Sequence, residues 1–236
     1  MVEGFDTRVT PSLHPLNVTK LDGYDEETRP YLGQAETAFS EAYQGLQSVH
    51  DARAAAAKNP TWNEAQQVIA TDDFGQQVFA RIARQMDAAK ANLDKSISAL
   101  EEQLSAPVTS KAAHSVSAEI RAYVKGLSTG QRMTFLQEAI ASGDEVSASA
   151  VLGGPHYLSG IDASTQAILT RQYHERVSPQ VAKRVMAMRG ARDLITDRGG
   201  LVFKELEKAV GKPPHKVRAL REAKNAAEQA FVLRGA

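Results

Sequence analysis

The amino-acid sequence predicts an all-α protein. Apolar residues recur three or four positions apart through most of the chain, which is the spacing of one helix face. Strict alternation of apolar and polar residues, the pattern of a half-buried strand, never lasts long enough to predict one. Gly153-Gly154-Pro155 and Pro213-Pro214 divide the helical pattern into pieces. We therefore expect long helices that form a bundle or hairpin, with an extended N-terminal arm and a basic C-terminal helical region.

Four segments are predicted from changes in composition along the chain. Residues 1–30 contain three prolines and few periodic apolar positions, which predicts an extended arm. Residues 31–106 predict a long helical hairpin, and residues 107–177 a region of short helices. Residues 178–236 predict basic C-terminal helices. The last three segments together can form one domain.

The longest periodic signal lies in the predicted hairpin. A helix over Glu36–Lys58 and a short helix over Glu64–Ala70 precede a long helix over Asp72–Leu104, which Pro107 is expected to end. Apolar residues in the long helix recur every seven positions, as in a coiled coil. The helix must pack along a partner, either within the chain or on another subunit. The candidate oligomer seam consists of Phe79, Met86, Leu93, Ile97, Leu100 and Leu104.

Further helices are predicted after Pro107. Their expected bounds are Ser110–Lys125, Gln131–Ala141, Asp144–Leu152, Asp162–Val177, a helix beginning at Ser178-Pro179, Leu201–Val210 and His215–Leu233. Ser178-Pro179 combines an N-cap residue with proline at the first helical position. Gly199-Gly200 is expected to kink or interrupt the chain before Leu201.

Composition excludes several kinds of site. The chain has no cysteine, so disulfides, thiolate metal ligands and thiol nucleophiles are excluded. No apolar run approaches the roughly 20 residues that span a bilayer. The first residues lack the basic start and apolar stretch of a signal peptide, so secretion by that route is not expected.

The sequence carries no recognisable catalytic signature. It has no glycine-rich phosphate loop, no His-Glu-x-x-His and no nucleophile elbow. The histidines never pair at the spacings that place two metal ligands on one helix face, and they are His14, His50, His114, His156, His174 and His215. Adjacent acidic residues lie at predicted helix ends or on a solvated face. We therefore predict no catalytic, cofactor-binding or metal-binding residues, no cofactor and no enzymatic activity.

The segment from Leu152 to Gly160 is the most unusual local sequence. Its glycines and proline force a turn, and His156, Tyr157 and Ser159 can line a small site. The alternative is a corner between helices, with Tyr157 and Leu158 packed in the core and Ser159 as a cap. We favour the corner, because nothing nearby in the sequence supplies an oriented base or an oxyanion donor.

Charge is distributed unevenly along a chain whose net charge is zero. Residues 1–170 carry 13 Lys and Arg against 21 Asp and Glu, a net charge of −8, and residues 171–236 carry 15 against 7, a net charge of +8. Either nucleic-acid phosphates or acidic protein surfaces, including the acidic part of this chain, can face the basic end. The candidate contacts are Lys183, Arg184, Arg189, Arg192, Lys216, Arg218 and Arg221.

One part of the chain resembles viral sequences. The motifs are Glu138-Ala-Ile-Ala-Ser-Gly-Asp144, Ala150-Val-Leu-Gly-Gly-Pro155, Tyr157-Leu-Ser-Gly160 and a capped helix that runs to Ser178-Pro179. Together they are similar to stretches in uncharacterised proteins of tailed bacteriophages and prophages, over residues 138–179. The resemblance implies a viral source, in which small all-α proteins are often virion components or assembly factors. It assigns no residue a role.

These observations predict a non-enzymatic structural or assembly protein of a phage particle. The expected position is the neck or connector, the tail or the capsid, and the expected partners are further copies of the chain and other virion proteins. The expected location is the virion or the host cytoplasm, without membrane contact. Two alternatives are a transient scaffolding protein and a nucleic-acid-binding accessory protein that uses the basic helices. A third is an enzyme with a site around His156 and Tyr157.

Overall fold

The computed structural model describes residues 6–113 and 116–231, and it confirms the all-α class. No strand occurs within these two ranges. The α-helices are α1 Arg29–Ala56, α2 Glu64–Lys111, α3 Ser117–Gly126, α4 Thr129–Ser142, α5 Glu145–Leu152, α6 His156–Ser159, α7 Ala163–Val177, α8 Pro179–Gly199, α9 Leu201–Val210 and α10 Pro214–Gln229. The predictions for His114 and for the end of the last helix at Leu233 lie outside the described residues.

The chain forms two compact units. Unit 1 comprises Met1–Asn92 and Gly190–Ala236, and unit 2 comprises Leu93–Arg189. This division differs from the four predicted segments, because its boundaries lie inside α2 and α8. The backbone hydrogen bonds of a helix continue unchanged when its side chains leave one apolar core and enter another. The local sequence therefore does not mark the boundary between the two units within α2 or within α8.

Unit 1 contains an antiparallel pairing of α1 with the first part of α2, as expected for a hairpin. Asn92 Nδ2 donates to Gln34 Oε1 at 2.8 Å, and Arg81 forms an ion pair with Glu41 further along both helices. α9 packs against α1. Gly75 is a point of close approach, because a Cβ atom there would lie 2.9 Å from Leu206 Cδ1 and 3.6 Å from Val49 Cγ1.

The N-terminal segment is compact, so the prediction of an extended arm is wrong for its described part. Pro11–Leu13 and Pro15–Lys20 form two 3₁₀ helices, and both pack against α1. Proline is well suited to the first helical position, because it has no N–H to satisfy there. Leu13 and Val18 are buried, which supplies the apolar contact that holds the segment in place. Residues 1–5 of the predicted arm lie outside the described residues.

Helix α2 begins earlier than the predicted long helix. Asn63 and Gln66 form a reciprocal cap: Gln66 N–H donates to Asn63 Oδ1 at 2.9 Å, and Asn63 N–H donates to Gln66 Oε1 at 3.2 Å. The expected break before Asp72 is absent, because no glycine or proline interrupts this stretch. The predicted short and long helices are therefore one helix.

Helix α2 also continues through Pro107, where it was predicted to end. Pro107 lies in the last turns of the helix and is exposed. Its ring removes a single backbone donor near the helix end, a smaller loss than in a helix centre. Val108, the next residue, is buried in the core of unit 2, and this burial stabilises the final turn.

Unit 2 is a bundle of short helices around one apolar core. The core contains Val108, Val124, Leu136, Ile140, Ala148, Val151, Leu152, Ile161, Leu169 and Tyr173. Long polar side chains satisfy backbone carbonyls where the short helices end. Arg132 donates to the carbonyls of Val124, Lys125, Leu127 and Gly160, and Gln166 Nε2 donates to those of Val151, Leu152 and Gly154.

Several predicted helix boundaries are confirmed. Asp162 caps α7 by accepting from Thr165 N–H at 2.8 Å, and α8 begins at Pro179 after Ser178. Gly199 ends α8 and α9 starts at Leu201, as the glycine pair predicted. Asp144 caps α5, and Gly143 ends α4 in the left-handed conformation at φ 78°.

Candidate functional site

Unit 2 carries an open cleft of about 690 Å³ at its surface. Three helical segments form its walls: α7, the part of α8 up to Arg189, and the residues of α2 around Leu104. Such a volume falls within the range of about 300–1,000 Å³ that is common for ligand sites in proteins. We treat this cleft as the candidate functional site.

Helical periodicity places the lining residues on common faces. On α8, Ala182, Val185, Met186 and Arg189 follow one another at steps of three, one and three residues. Glu101, Leu104 and Ser105 occupy one face of α2 in the same way. The α7 wall includes Ala167, Ile168, Thr170, Arg171, His174 and Glu175. The sequence spacing thus explains why each helix presents a continuous surface to the cleft.

Two apolar side chains of the cleft are unusually exposed. Ile168 on α7 is 51% exposed and Met186 on α8 is 47% exposed, whereas Val185 beside them is buried. Isolated exposed apolar residues are normal on protein surfaces, but these two line the same cavity. The cleft therefore offers apolar surface that an apolar ligand or side chain would remove from water.

The charged groups of the cleft are paired with one another. Arg189 reaches Glu101 Oε1 through Nη2 at 2.5 Å and through Nε at 3.0 Å. Arg171 Nε lies 3.6 Å from Glu175 Oε1, one helical turn away. These side chains are solvent-exposed, so each pair contributes at most about 1 kcal/mol to stability. Their effect on the cleft is to leave its rim without net charge.

His174 contributes an unsatisfied polar atom to the cleft wall. Its Nε2 atom is buried and has no hydrogen-bond partner among residues 6–113 and 116–231. Burial lowers the pKa of His174 below its ordinary value of 6.5, because desolvation disfavours the imidazolium. The ring is therefore neutral at pH 7.

Acidification below neutral pH is expected to destabilise the fold. His50 in unit 1 also has a lowered pKa, first through desolvation and then through the nearby Arg8 guanidinium. The unfolded chain takes up protons at these histidines as the pH falls through about 6.5, and the folded chain does so only at lower pH. The free energy of unfolding should therefore fall as the pH is lowered from about 6.5 to about 5.

Urea unfolding followed by circular dichroism at several pH values measures this effect. His174→Leu removes one of the two groups and should make the pH dependence shallower, whereas His215→Gln, at an exposed position, serves as the control. Carboxylates with a lowered pKa affect the free energy of unfolding at lower pH than the histidines do. The hydrogen bond from Arg8, for example, lowers the pKa of Asp6 to about 2. Stability that does not change between pH 6.5 and 5 would contradict the assignment.

The structure divides the predicted basic contacts between the two units. Lys183, Arg184 and Arg189 belong to unit 2, and Arg192, Lys216, Arg218 and Arg221 belong to unit 1. Several hold acidic partners of the same chain. Arg221 Nη2 lies 2.6 Å from both Asp72 Oδ2 and Asp73 Oδ1.

Other basic residues behave similarly. Arg192 pairs with Asp193 at 2.7 Å, Arg189 pairs with Glu101, and Lys212 pairs with Glu64 at 2.9 Å. Arg189, Lys212 and Arg221 thus pair with acidic residues from the earlier part of the chain, one of the alternatives that the charge distribution left open, whereas Asp193 lies in the basic region itself. These pairs reduce the positive charge that is available to phosphates.

The candidate oligomer seam is mostly covered within one chain. Met86, Leu93, Ile97 and Leu104 are buried, while Phe79 and Leu100 are half-buried. Phe79 packs edge-to-face against Phe203, with ring centroids 6.4 Å apart. The burial of most of this stripe within one chain agrees with the alternative in which the long helix packs along a partner of its own chain, and Phe79 and Leu100 keep part of their surface exposed.

The segment around Pro155 is a corner between helices, as favoured from the sequence. His156 Nδ1 lies 3.1 Å from the Ile161 carbonyl oxygen, so this ring atom is engaged with the backbone. The expected core packing of Tyr157 and Leu158 is wrong, since they are 63% and 40% exposed. The expected capping role of Ser159 is also wrong, since its Oγ atom is buried without a hydrogen-bond partner in the described chain.

The cleft was not predicted from the sequence, because the helix over Asp162–Val177 was identified only by its apolar spacing, which does not show that Ile168 stays exposed. The core of unit 2 takes Leu169 and Tyr173 from this helix, which leaves Ile168 on the adjacent face. The sequence signal that could have indicated the cleft is the width of the apolar stripe on α7. Ile168, Leu169 and Tyr173 together cover more of the helix surface than the contact with the core of unit 2 requires. On α8, Met186 is likewise exposed on the face beside the buried Val185 and Met188.

Two kinds of site do not occur in the described part of the chain. Within residues 6–113 and 116–231, no cluster of three potential metal ligands is present. Over the same residues, no helix combines the length and apolar character that crossing a bilayer requires. Comparison with known proteins finds no protein family, curated protein or solved structure that matches this chain.

Proposed function

We propose that the chain is a non-enzymatic structural or assembly protein of a tailed phage particle, acting through protein–protein contacts in an oligomer. The observation that carries the proposal is the cleft of unit 2, where Ile168 and Met186 expose apolar surface on two helices. Apolar clefts between helices are typical docking sites for segments of other chains. The paired charges around the cleft leave apolar burial as its main source of binding energy.

The resemblance to phage and prophage proteins supports a role in a particle. The resembling residues, 138–179, include the whole of α7 and therefore one wall of the cleft. A position at the neck or connector, in the tail or on the capsid agrees with a helical protein that offers such a surface. All of these positions require repeated contacts between copies or with neighbouring virion proteins.

The proposal is tested in the phage or prophage that encodes the chain. An early stop codon in the gene should abolish infectious particles, and a plasmid copy of the gene should restore them. Mass spectrometry of purified mature particles should detect the chain, and native mass spectrometry of the isolated protein should show oligomers. A strictly monomeric protein that is absent from particles at every stage of assembly would overturn the proposal.

A scaffolding protein would also be required for assembly, but it would leave the particle. Comparing immature with mature particles separates the two roles. A virion component is present in both, whereas a scaffold is present only in the immature form. We place the virion component first, because folded helical units with buried cores suit a permanent position.

Nucleic-acid binding ranks below protein contact. Arg189, Arg192 and Arg221 hold carboxylates of the same chain. Binding to phosphates would require these pairs to open, and its affinity would fall steeply with salt. A salt-dependent affinity for duplex DNA that Lys216→Glu and Arg218→Glu abolish would place the nucleic-acid role first.

A further inference from the structure

The first described residues of the chain connect two parts of unit 1 that are far apart in the sequence. We call residues 6–21 the N-terminal strap. On α1, Tyr43 Oη donates to the Asp6 carbonyl oxygen at 3.1 Å. On α9, the Glu205 carboxylate accepts the Thr10 N–H at 3.0 Å. The strap is therefore hydrogen-bonded to both α1 and α9.

The strap is held to unit 1 by a small number of further contacts. Its apolar residues Val9, Leu13 and Val18 are buried. Arg198, in the last turn of α8, donates to the Ser12 carbonyl oxygen at 2.7 Å. A segment held by few contacts opens locally at a smaller free energy than the unfolding of a whole domain requires. The strap can therefore detach while the helices that it covers remain folded.

A histidine of α1 lies next to the contacts of the strap. His50 follows Tyr43 by two helical turns on the same face, and it precedes Asp51, to which Arg8 Nη1 of the strap donates at 2.8 Å. The Nε2 atom of His50 is buried and has no hydrogen-bond partner in the part of the chain that the structure describes. In the imidazolium form Nε2 carries a proton, which would find no acceptor there. The site therefore suits the neutral ring.

The charges around His50 also disfavour its protonation. Desolvation is the largest cause that lowers the pKa of His50 below its ordinary value of 6.5, and Arg8 of the strap is the next. Lys208 of α9 and Arg53 of α1 lower this pKa further, whereas Asp6 of the strap raises it. The effect of Arg8 is larger than that of Asp6. Departure of the strap therefore raises the pKa of His50 toward its ordinary value.

The other groups at this surface come from each element that packs here. The charged and titratable side chains are Asp6, Arg8 and His14 of the strap, Asp51 and Arg53 of α1, and Glu205 and Lys208 of α9. Helix α2 approaches this part of α1 at Gly75, which carries no charge. His14 Nδ1 accepts the Leu16 N–H at 3.2 Å, so its protonation would also remove a hydrogen bond of the strap. An experiment must therefore separate His14 from His50.

We infer that protonation of His50 releases the N-terminal strap from α1 and α9 while the helices of unit 1 stay folded. The docked strap favours the neutral ring, and the released strap permits the imidazolium. Protons therefore shift the equilibrium toward release as the pH falls below about 6.5. Release uncovers the apolar side chains of the strap and the surface of α1 against which they pack. The inference goes beyond the proposed function and does not depend on it.

Hydrogen exchange of the full chain, followed by mass spectrometry, measures the release. Exchange rates are corrected for the pH dependence of the chemical step. Between pH 6.5 and 5 the opening equilibrium of the strap should rise at least about three-fold, within the limit of about ten-fold per pH unit for one group. Peptides from residues 35–46 of α1, which include the buried Phe39 and Leu46, should keep their protection.

Substitutions assign the response to a residue. His50→Leu cannot take up a proton, so the opening equilibrium of its strap should change less than about two-fold over the same range. His174→Leu is the matched control, because it removes another histidine with a lowered pKa, in unit 2, and should leave the response of the strap unchanged. His14→Gln should also retain it. Circular dichroism at pH 7 checks that each variant is folded.

A second variant keeps His50 and removes the strap charge that opposes its protonation. Arg8→Gln should loosen the strap at pH 7, because the contact with Asp51 is lost, and should make its pH response smaller.

Several results would overturn the release. One is a strap whose protection does not change with pH, and another is a full response in His50→Leu. Loss of the response in His14→Gln would assign it to the other histidine. An equal loss of protection in the strap and in α1 would show unfolding of the whole unit instead of release.

Discussion

Gly153→Ala is expected to destabilise unit 2 by about 3 kcal/mol, at the upper end of the usual range for overpacking. A Cβ atom at this position would lie 2.4 Å from the Val108 carbonyl oxygen and 2.7 Å from the Ala112 Cβ. Val108 lies in the last turn of α2 and Ala112 directly follows the helix, and a backbone oxygen cannot move aside as a flexible side chain can. The φ of Gly153 is −85°, which any residue adopts, so the expected loss arises from the steric contact alone.

Urea unfolding with circular dichroism measures the loss. Gly130→Ala is the matched control, because a Cβ atom there would meet nothing within 4 Å. This control lies in α4 of the same unit, where alanine should be neutral or stabilise by up to about 1 kcal/mol. If Gly153→Ala and Gly130→Ala have equal stability, the close approach of α5 to α2 is incorrect.

Phe39→Ala is expected to destabilise unit 1 by about 3–5 kcal/mol. Phe39 lies on α1 and is fully buried, among the largest such side chains of the chain. Truncation removes the transfer free energy of the ring and leaves a cavity that the surrounding helices fill only in part. Phe39 lies in α1, which pairs with the first part of α2. The lost packing is therefore in the helical hairpin of unit 1.

The same unfolding measurement with Phe231→Ala provides the comparison. Phe231 also belongs to unit 1 but is almost fully exposed, so its truncation should change the stability of the monomer by less than about 0.5 kcal/mol. The measurement uses dilute protein, in which an oligomer contact contributes little. A loss below about 1 kcal/mol for Phe39→Ala would show that this part of the core is loosely packed.

Local chemistry made most helices predictable. Asp144 and Asp162 accept hydrogen bonds from N–H groups of the helices that follow them, and this depends on neighbouring residues alone. Gly143 adopts a left-handed conformation at a helix end, which glycine does without strain. Such signals act within one turn of the chain, so they are visible in the sequence.

Long-range packing decided the features that were predicted wrongly. Pro107 remains inside α2 because Val108 enters the core of unit 2. The N-terminal segment folds into 3₁₀ helices because Leu13 and Val18 bury against residues far along the chain. Neither contact can be found in the local pattern, since the stabilising partners are distant in sequence.

The sequence by itself determined the helical class, the cap at Asp162 and the absence of cysteine chemistry, because each depends on residue types or on spacings within a few turns. Only the tertiary structure decided which apolar residues stay uncovered. Leu169 and Ile168 are neighbours with similar hydrophobicity, yet one is buried and the other lines an open cleft. Burial depends on which helices meet and at what angle, and this geometry arises from the packing of the whole unit.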